Sequence, residues 1–286
     1  MPVRHNPQPL FRDLFTPEAV AARGGRPAAG MFLSSGDPTT AEICAGAGLD
    51  YLLIDAEHAP LTLQDVLAQL RTIAGYRVPT LVRVPALDTV AIKQFLDLGA
   101  QSLLVPMVDD AAMARRAVAA ARYPDGSAEG GVRGVGSALA RSGRWNRIPG
   151  YLPGAADHVS VIVQIETAAG VRNADEIAAV DGIDGVFIGP SDLSASLGLL
   201  GQQSHPDVVA AVEEVITKVK AAGKIVGVNA FVPAQADAYA VAGADYVNVG
   251  ADVALLARAA EALADRWCPA PSNAAADGQS APRASY

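Results

Sequence analysis

Short, strongly apolar runs return eight times along this chain, and the stretches between them are alanine-rich with helical spacing. The runs cover residues 30–33, 51–54, 80–84, 102–105, 159–165, 185–188, 224–228 and 246–249. They lack the polar alternation of a half-exposed strand, as expected of strands covered on both faces of a parallel sheet. The intervening periodicity predicts helices over residues 62–73, 89–98, 111–121, 173–179, 206–222 and 233–242, with a last one over 253–267. Strand and helix in repeated alternation build a parallel sheet, and eight such units close it into a (β/α)8 barrel. The chain's 286 residues suit that architecture, which typically takes about 250. Gly99, Gly223 and Gly243 follow predicted helices, where a left-handed residue without a Cβ ends the helix before the next strand. An open doubly wound sheet has similar content, but the glycine-rich phosphate turn that usually marks it is absent.

The expected division is an N-terminal arm over 1–27, the barrel over 28–267 and a disordered tail over 268–286, where Pro, Ser, Ala and Gly dominate and little can be buried. One long irregular stretch, 123–158, interrupts the alternation after the fourth strand and its helix. A net charge of −8, from 22 basic and 30 acidic side chains without basic clusters, argues against nucleic-acid or anionic-membrane partners. Cys44 and Cys268 are far apart and form no CxxC, so neither a disulfide framework nor a thiolate metal site is expected. The opening residues lack the apolar stretch of a signal peptide, and no run approaches a membrane span. A reducing cytoplasm is the expected compartment.

Reactive groups in such a barrel sit where the strands end. The second run leads into Asp55 and His58 in LLIDAEHAP, the third carries Arg83 in LVRVP, the fifth ends in Gln164 and Glu166 in VQIET, and the sixth leads to Ser191 and Asp192 in GPSDL. Glu166 and Asp192 end adjacent strands, and two carboxylates so placed repel unless a cation lies between them. Oxygen-only ligation favours Mg²⁺ or Mn²⁺, with Co²⁺ as a further option, and leaves positions for water and substrate. The alternative is that each carboxylate caps the helix that follows it. His58 is the one histidine of four at a predicted strand end; it can exchange a proton near neutrality, with Asp55 placed to orient its ring. Arg83, in an apolar strand, needs an anion, which is either a structural carboxylate or a substrate oxyanion. Imine chemistry would need a lysine at the rim. Lys93, Lys218 and Lys220 fall on predicted helices, and Lys224 lies at the start of a strand.

Taken together, AGAGLDYLLIDAEHAP, IKQFLDLGAQSLLVPMV, RGVGSALARSGRWNRIPGYL, VQIET, DGVFIGPSDLSA and LLARAAEALA resemble the HpcH/HpaI aldolase family over roughly residues 10–267. The resemblance implies a (β/α)8 TIM barrel of the phosphoenolpyruvate/pyruvate type carrying a metal-dependent class II pyruvate aldolase. It implies Glu166 and Asp192 as metal ligands, Gln164 and Ser191 as substrate contacts, Arg83 as enolate stabiliser and His58 with Asp55 as acid/base. It also implies that Asp97, in FLDLG, acts on the histidine of a neighbouring subunit within a homohexamer of swapped pairs. The substrates implied are a 2-oxo acid and an aldehyde, with no organic cofactor. The nearest branch acts on 4-hydroxy-2-oxo-heptane-1,7-dioate, giving pyruvate and succinic semialdehyde in aromatic-acid catabolism. A 2-keto-3-deoxy sugar acid is the close alternative, and a non-catalytic binding or assembly barrel is the reading from another class. The chain departs from the family pattern at Ala56, where glycine is common, at Phe32, where tryptophan is common, and in a longer 125–131 loop.

Overall fold

The computed structural model describes residues 8–127 and 130–268. The described elements run α1 (Pro17–Ala22), β1 (Ala28–Leu33), α2 (Pro38–Ala45), β2 (Tyr51–Asp55), α3 (Leu63–Ile73), β3 (Thr80–Arg83), α4 (Thr89–Asp97), β4 (Ser102–Val105) and α5 (Ala111–Ala121). There follow β5 (Ser160–Ile165), α6 (Ala168–Arg172), α7 (Ala174–Ala178), β6 (Gly185–Ile188), α8 (Pro190–Ser196), α9 (Pro206–Ala221), β7 (Ile225–Asn229), α10 (Pro233–Ala242), β8 (Tyr246–Ala251) and α11 (Asp252–Trp267). The eight strands pair in sequence order, all parallel, and β1 pairs with β8 to close the barrel. This is the expected (β/α)8 barrel.

Side chains alternate between two cores because successive strand residues point to opposite faces. Met31, Leu52, Val82, Leu103, Val163 and Val186 face the helices, while Tyr51, Leu53, Leu81, Leu104, Ile162, Phe187 and Tyr246 fill the interior. The interior is floored by Phe11, from a single 3₁₀ turn over Phe11–Phe15, whose ring meets Tyr51 and Tyr246 edge-on at 5.1 and 4.9 Å. Its N–H donates to Ser102 Oγ at 2.9 Å. Gly30 and Gly227 make room for those tyrosines: a Cβ would fall 2.4 Å from the Tyr51 ring at Gly30 and 2.3 Å from the Tyr246 ring at Gly227.

The turns from strand to helix are set by caps. Asp37, Thr62, Asp88, Asp110 and Thr167 each accept a backbone N–H of the helix they open. Helix α2 was not anticipated from spacing, because PTTAEICA buries only Ala41 and Cys44 and offers no apolar stripe. Its start is written instead in Asp37-Pro38, a cap followed by proline in the first turn. The helix expected over 173–179 is observed as α7, and the short α6 before it was not anticipated; the two meet at Asn173, whose Nδ2 donates to Asp109 O at 2.8 Å.

The long 123–158 stretch joins α5 to β5, so it lies at the end of the barrel where strands begin. Residues 128–129, within the expected longer loop, and the expected tail from residue 269 lie outside the described residues. Residues 8–27 carry the barrel floor and α1. Among the described residues no helix is long and apolar enough to cross a membrane.

Candidate active site

Four buried polar side chains, Asp55, Arg83, Gln164 and Glu166, lie at or next to strand ends. Asp55, the last residue of β2, is buried and forms two 2.9 Å hydrogen bonds with Arg83, the last residue of β3, which donates through Nε and Nη2. Strand register puts the two side by side. The Arg83 guanidinium also lies 3.1 Å from Glu57 through Nη1 and 4.9 Å from the Phe32 ring centre. Arg83's anion is therefore structural, a pair of carboxylates. The fork retains N–H groups that these contacts leave unused, since a guanidinium carries five.

Asp55 does not orient the His58 ring, which corrects the expectation for this pair. Its Oδ1 accepts the backbone N–H of Glu57 and of His58, at 3.1 and 3.3 Å, as well as Arg83 Nε. The physical reason is local: a short aspartate opening a tight turn satisfies the turn's own amides. The His58 side chain is 58% exposed, and its Nε2 sits 3.8 Å from Glu57 Oε2. A ring so exposed is open to substrate from the barrel mouth.

Glu57 is the residue that sequence reasoning passed over. It stands between Arg83 and His58, and desolvation raises its carboxyl to about 7, with the negative charges of Asp55 and Asp192 adding to the rise and Arg83 opposing it. In DAEH it lies between two residues that had been singled out, but its interactions with Arg83 and Asp192 come from other parts of the barrel.

Glu166, one residue past β5, is 2% exposed. Its Oε1 accepts the Met107 N–H at 2.8 Å, and its Oε2 accepts from Gln164 Nε2. Met107 adopts a left-handed φ of 54°, a strained state for a residue with a Cβ, which turns its amide toward the carboxylate. Burial raises Glu166 to about 7, against these two hydrogen bonds, with Glu57 and Asp192 pushing in the same direction. Gly189, following β6, closes the gap beside it: a Cβ there would lie 2.7 Å from Glu166 Oε2.

Asp192 is exposed in the first turn of α8. The first helical bond of that turn runs from Leu193 N–H to Gly189 O, so the Ser191 and Asp192 amides have no acceptor within the helix. Ser191 Oγ accepts from Gln203 Nε2 at 2.8 Å, so its hydroxyl hydrogen and its backbone N–H are the donors it can offer. Glu57, Glu166 and Asp192 thus crowd three carboxylates on one rim. Among the described residues no three His, Cys, Asp or Glu side chains converge tightly enough to hold a metal by themselves. A cation here would rest on two carboxylates, with water and substrate completing its shell, as Mg²⁺ commonly does.

Asp97 is not at this rim. It ends α4, and a helix following a parallel strand finishes where strands begin, so one chain cannot bring Asp97 to its own His58. There its Oδ1 accepts from Arg133 Nη2 at 3.0 Å. Arg133 is fully buried under Tyr123, with its guanidinium 4.5 Å from the ring centre. The arginine-rich 123–158 stretch is likewise at that far end and cannot contact substrate at its own chain's rim. The lysines are also away from the site: Lys93 lies on α4, Lys218 and Lys220 on α9, and Lys224 Nζ donates to Ile183 O at 2.7 Å beside the strand starts.

The HpcH/HpaI aldolase/citrate lyase family model matches residues 28–259. A Deinococcus radiodurans protein named hydroxypyruvate/pyruvate aldolase is 53% identical over 259 residues, 90% of this chain and 92% of that protein. A Salmonella dublin protein named 4-hydroxy-2-oxo-heptane-1,7-dioate aldolase is also 53% identical, over 247 residues, 86% of this chain and 92% of that protein. A solved HpcH/HpaI aldolase/citrate lyase family protein from Burkholderia cenocepacia J2315 superposes with a TM-score of 0.80 at 41% identity, covering 84% of this chain and 94% of that one. A closed eight-stranded barrel with this rim, matched across most of its length, belongs to the HpcH/HpaI aldolase/citrate lyase family, and the chain is a lyase of the aldolase kind.

Proposed function

We propose that this lyase is a metal-dependent class II pyruvate aldolase, which cleaves a 4-hydroxy-2-oxo acid to pyruvate and an aldehyde or joins the two in reverse. The observation that carries the reading is the crowding of Glu57, Glu166 and Asp192, with burial raising the first two to about 7. Such a site favours a divalent cation, Mg²⁺ or Mn²⁺, held by Glu166 and Asp192. Bound there, the cation would act as a Lewis acid toward the 2-oxo group.

The chain's own residues supply the remaining steps. His58 takes the proton of the C4 hydroxyl as the C3–C4 bond breaks, the released electron pair moves toward the C2 oxygen, and return of a proton to C3 converts the enolate to pyruvate. Arg83 is locked by Asp55, so its unused N–H groups meet that developing charge without first being ordered. Gln164, fixed by its bond to Glu166, and the Ser191 amide position the pyruvyl half.

The preferred substrate is 4-hydroxy-2-oxo-heptane-1,7-dioate, giving pyruvate and succinic semialdehyde. Equal identity to a protein named for hydroxypyruvate favours a second reading, in which hydroxypyruvate replaces pyruvate. Pyruvate and hydroxypyruvate set against a panel of aldehydes, succinic semialdehyde included, separate the two. Activity is expected to vanish in EDTA and return with Mn²⁺ or Mg²⁺; full activity in chelator would refute the metal reading.

The raised carboxyls also predict a pH dependence. A cation that binds Glu166 below pH 7 displaces its proton, so Mn²⁺ affinity is expected to fall about tenfold per pH unit between 7 and 5. Calorimetry at pH 5.5 and 7.5 measures this, and equal affinities would count against Glu166 as ligand. Without metal the trend for folding is opposite. Folded-state values near 7 lie above the ordinary 4.5, so these two groups favour the fold fully below about 4.5 and lose that contribution as pH rises through about 7.

Assembly as a homo-oligomer, with a hexamer of swapped pairs as the preferred form, belongs to the same proposal. Along α11, Val253, Leu256, Leu263 and Trp267 are exposed and, with Ala260, follow each other at intervals of three and four residues. That seam fits the matching helix or barrel of a second copy. In the swapped arrangement Asp97 would meet a neighbour's His58. Leu256→Asp with Leu263→Asp is expected to lower the mass seen in light scattering and to reduce activity, whereas unchanged mass would exclude this face from the interface.

A further inference from the structure

At the strand-start end of the barrel, opposite the carboxylate rim, a cavity of about 200 Å³ lies under the 123–158 stretch. Its walls include Ile148, Pro149, Tyr151 and Val159, which are apolar, and Arg141 and Arg144, which are not. Among the described residues neither arginine pairs with a carboxylate. Arg141 donates to the carbonyls of Leu98 and Leu70 at 3.3 Å each, and Arg144 Nη1 reaches only the Arg141 carbonyl, at 3.4 Å. Desolvation, together with the positive charges of Arg144 and Arg71, lowers the Arg141 pKa to about 10; Arg144 is also lowered, chiefly by desolvation. Two partly desolvated cations thus share one cavity without a counter-charge among the described residues. In the same wall Ser142 Oγ is buried without a hydrogen-bond partner, and the Tyr151 ring stacks on the cavity-lining imidazole of His158 at 5.6 Å and 21°.

The backbone here is held at a cost. Arg144, Trp145 and Asn146 have φ of 49°, 55° and 60°, three consecutive left-handed residues that each carry a Cβ. Such conformations are unfavourable for L-residues and persist only where the surroundings impose them. The run reverses the chain directly after Ser142 and Gly143, so that Arg144 lines the same cavity as Arg141.

We infer that this cavity is a second ligand site, separate from the aldolase rim, for a small organic acid whose carboxylate meets Arg141 and Arg144 and whose flat apolar body lies against Tyr151, Ile148 and Pro149. The charge requires an anion. The apolar walls disfavour a fully hydrated one such as inorganic phosphate, whose shell would have to be removed without replacement.

Benzoate is the probe, with acetate and inorganic phosphate as comparisons, titrated calorimetrically into the full chain in EDTA. One benzoate is expected per chain, with acetate and phosphate at least tenfold weaker. Arg144→Gly, which removes the guanidinium while suiting the left-handed backbone, is expected to weaken benzoate at least tenfold. Pyruvate with Mn²⁺ is expected to leave benzoate affinity unchanged, and benzoate is expected to shield Arg141 and Arg144 of the unaltered protein from phenylglyoxal, read by peptide mass. The proposal is overturned by an absence of benzoate binding, by displacement with pyruvate, by phosphate binding as tightly as benzoate, or by full modification of both arginines in the presence of benzoate. Undiminished affinity in a folded Arg144→Gly protein would overturn it as well.

Discussion

Glu166→Gln is expected to lower kcat/KM for pyruvate aldol cleavage on the order of 10³-fold, the rate equivalent of the several kcal/mol a Lewis-acid contact contributes. The substitution keeps size and shape but loses the charge that would hold the cation. It also meets a local conflict. Both partners of the carboxylate, the Met107 N–H and Gln164 Nε2, are donors, so a glutamine must turn its own NH₂ toward one of them. Steady-state rates at saturating Mn²⁺, beside a direct titration of Mn²⁺ binding, test both parts. A variant with unaltered metal affinity and rate would remove Glu166 from the site.

Arg83→Ala is expected to unfold the protein earlier as well as to inactivate it. Asp55 is 4% exposed and depends on Arg83 for two 2.9 Å hydrogen bonds, so truncation leaves a buried carboxylate without its counter-ion. Breaking a buried pair from one side costs about 3–5 kcal/mol, on the order of 10 °C in Tm for a chain of this size. Pairing Arg83→Met with Asp55→Asn removes the orphaned charge while keeping an acceptor for the Glu57 and His58 amides. That double variant is expected to recover most of the Tm and none of the activity. If Arg83→Ala alone melts with the parent protein, the pair does not carry the stability assigned to it.

The barrel was legible because its strands are apolar on both faces and its helices are mostly striped, so runs and spacing mark them directly. Helix α2 was not, since PTTAEICA rests on two small buried residues and only its cap announces it. The rim was legible at strand ends, which is how Arg83, Gln164 and Glu166 came to notice. Two things about it were not. Spacing pairs Asp55 with His58, but the cross-strand neighbour Arg83 has the stronger claim on a buried carboxylate, and that neighbour is set by register rather than by distance along the chain. Glu57 was passed over because its importance comes from facing Arg83 and sensing Asp192 across the barrel mouth, a relation no local window contains. The placement of residues 123–158 at the far end follows from counting connections, helix to strand rather than strand to helix.

The floor residue Phe11 has a consequence for how the protein is made. Its ring is seated against Tyr51, encoded early, and Tyr246, encoded in the last strand. On the ribosome the first of these elements to emerge waits for the last, and the apolar floor is complete only when β8 has been released to pair with β1. Until then the growing chain carries an open-ended curved sheet with two unpaired edges, the state in which a parallel α/β protein is most exposed to mispairing with its neighbours.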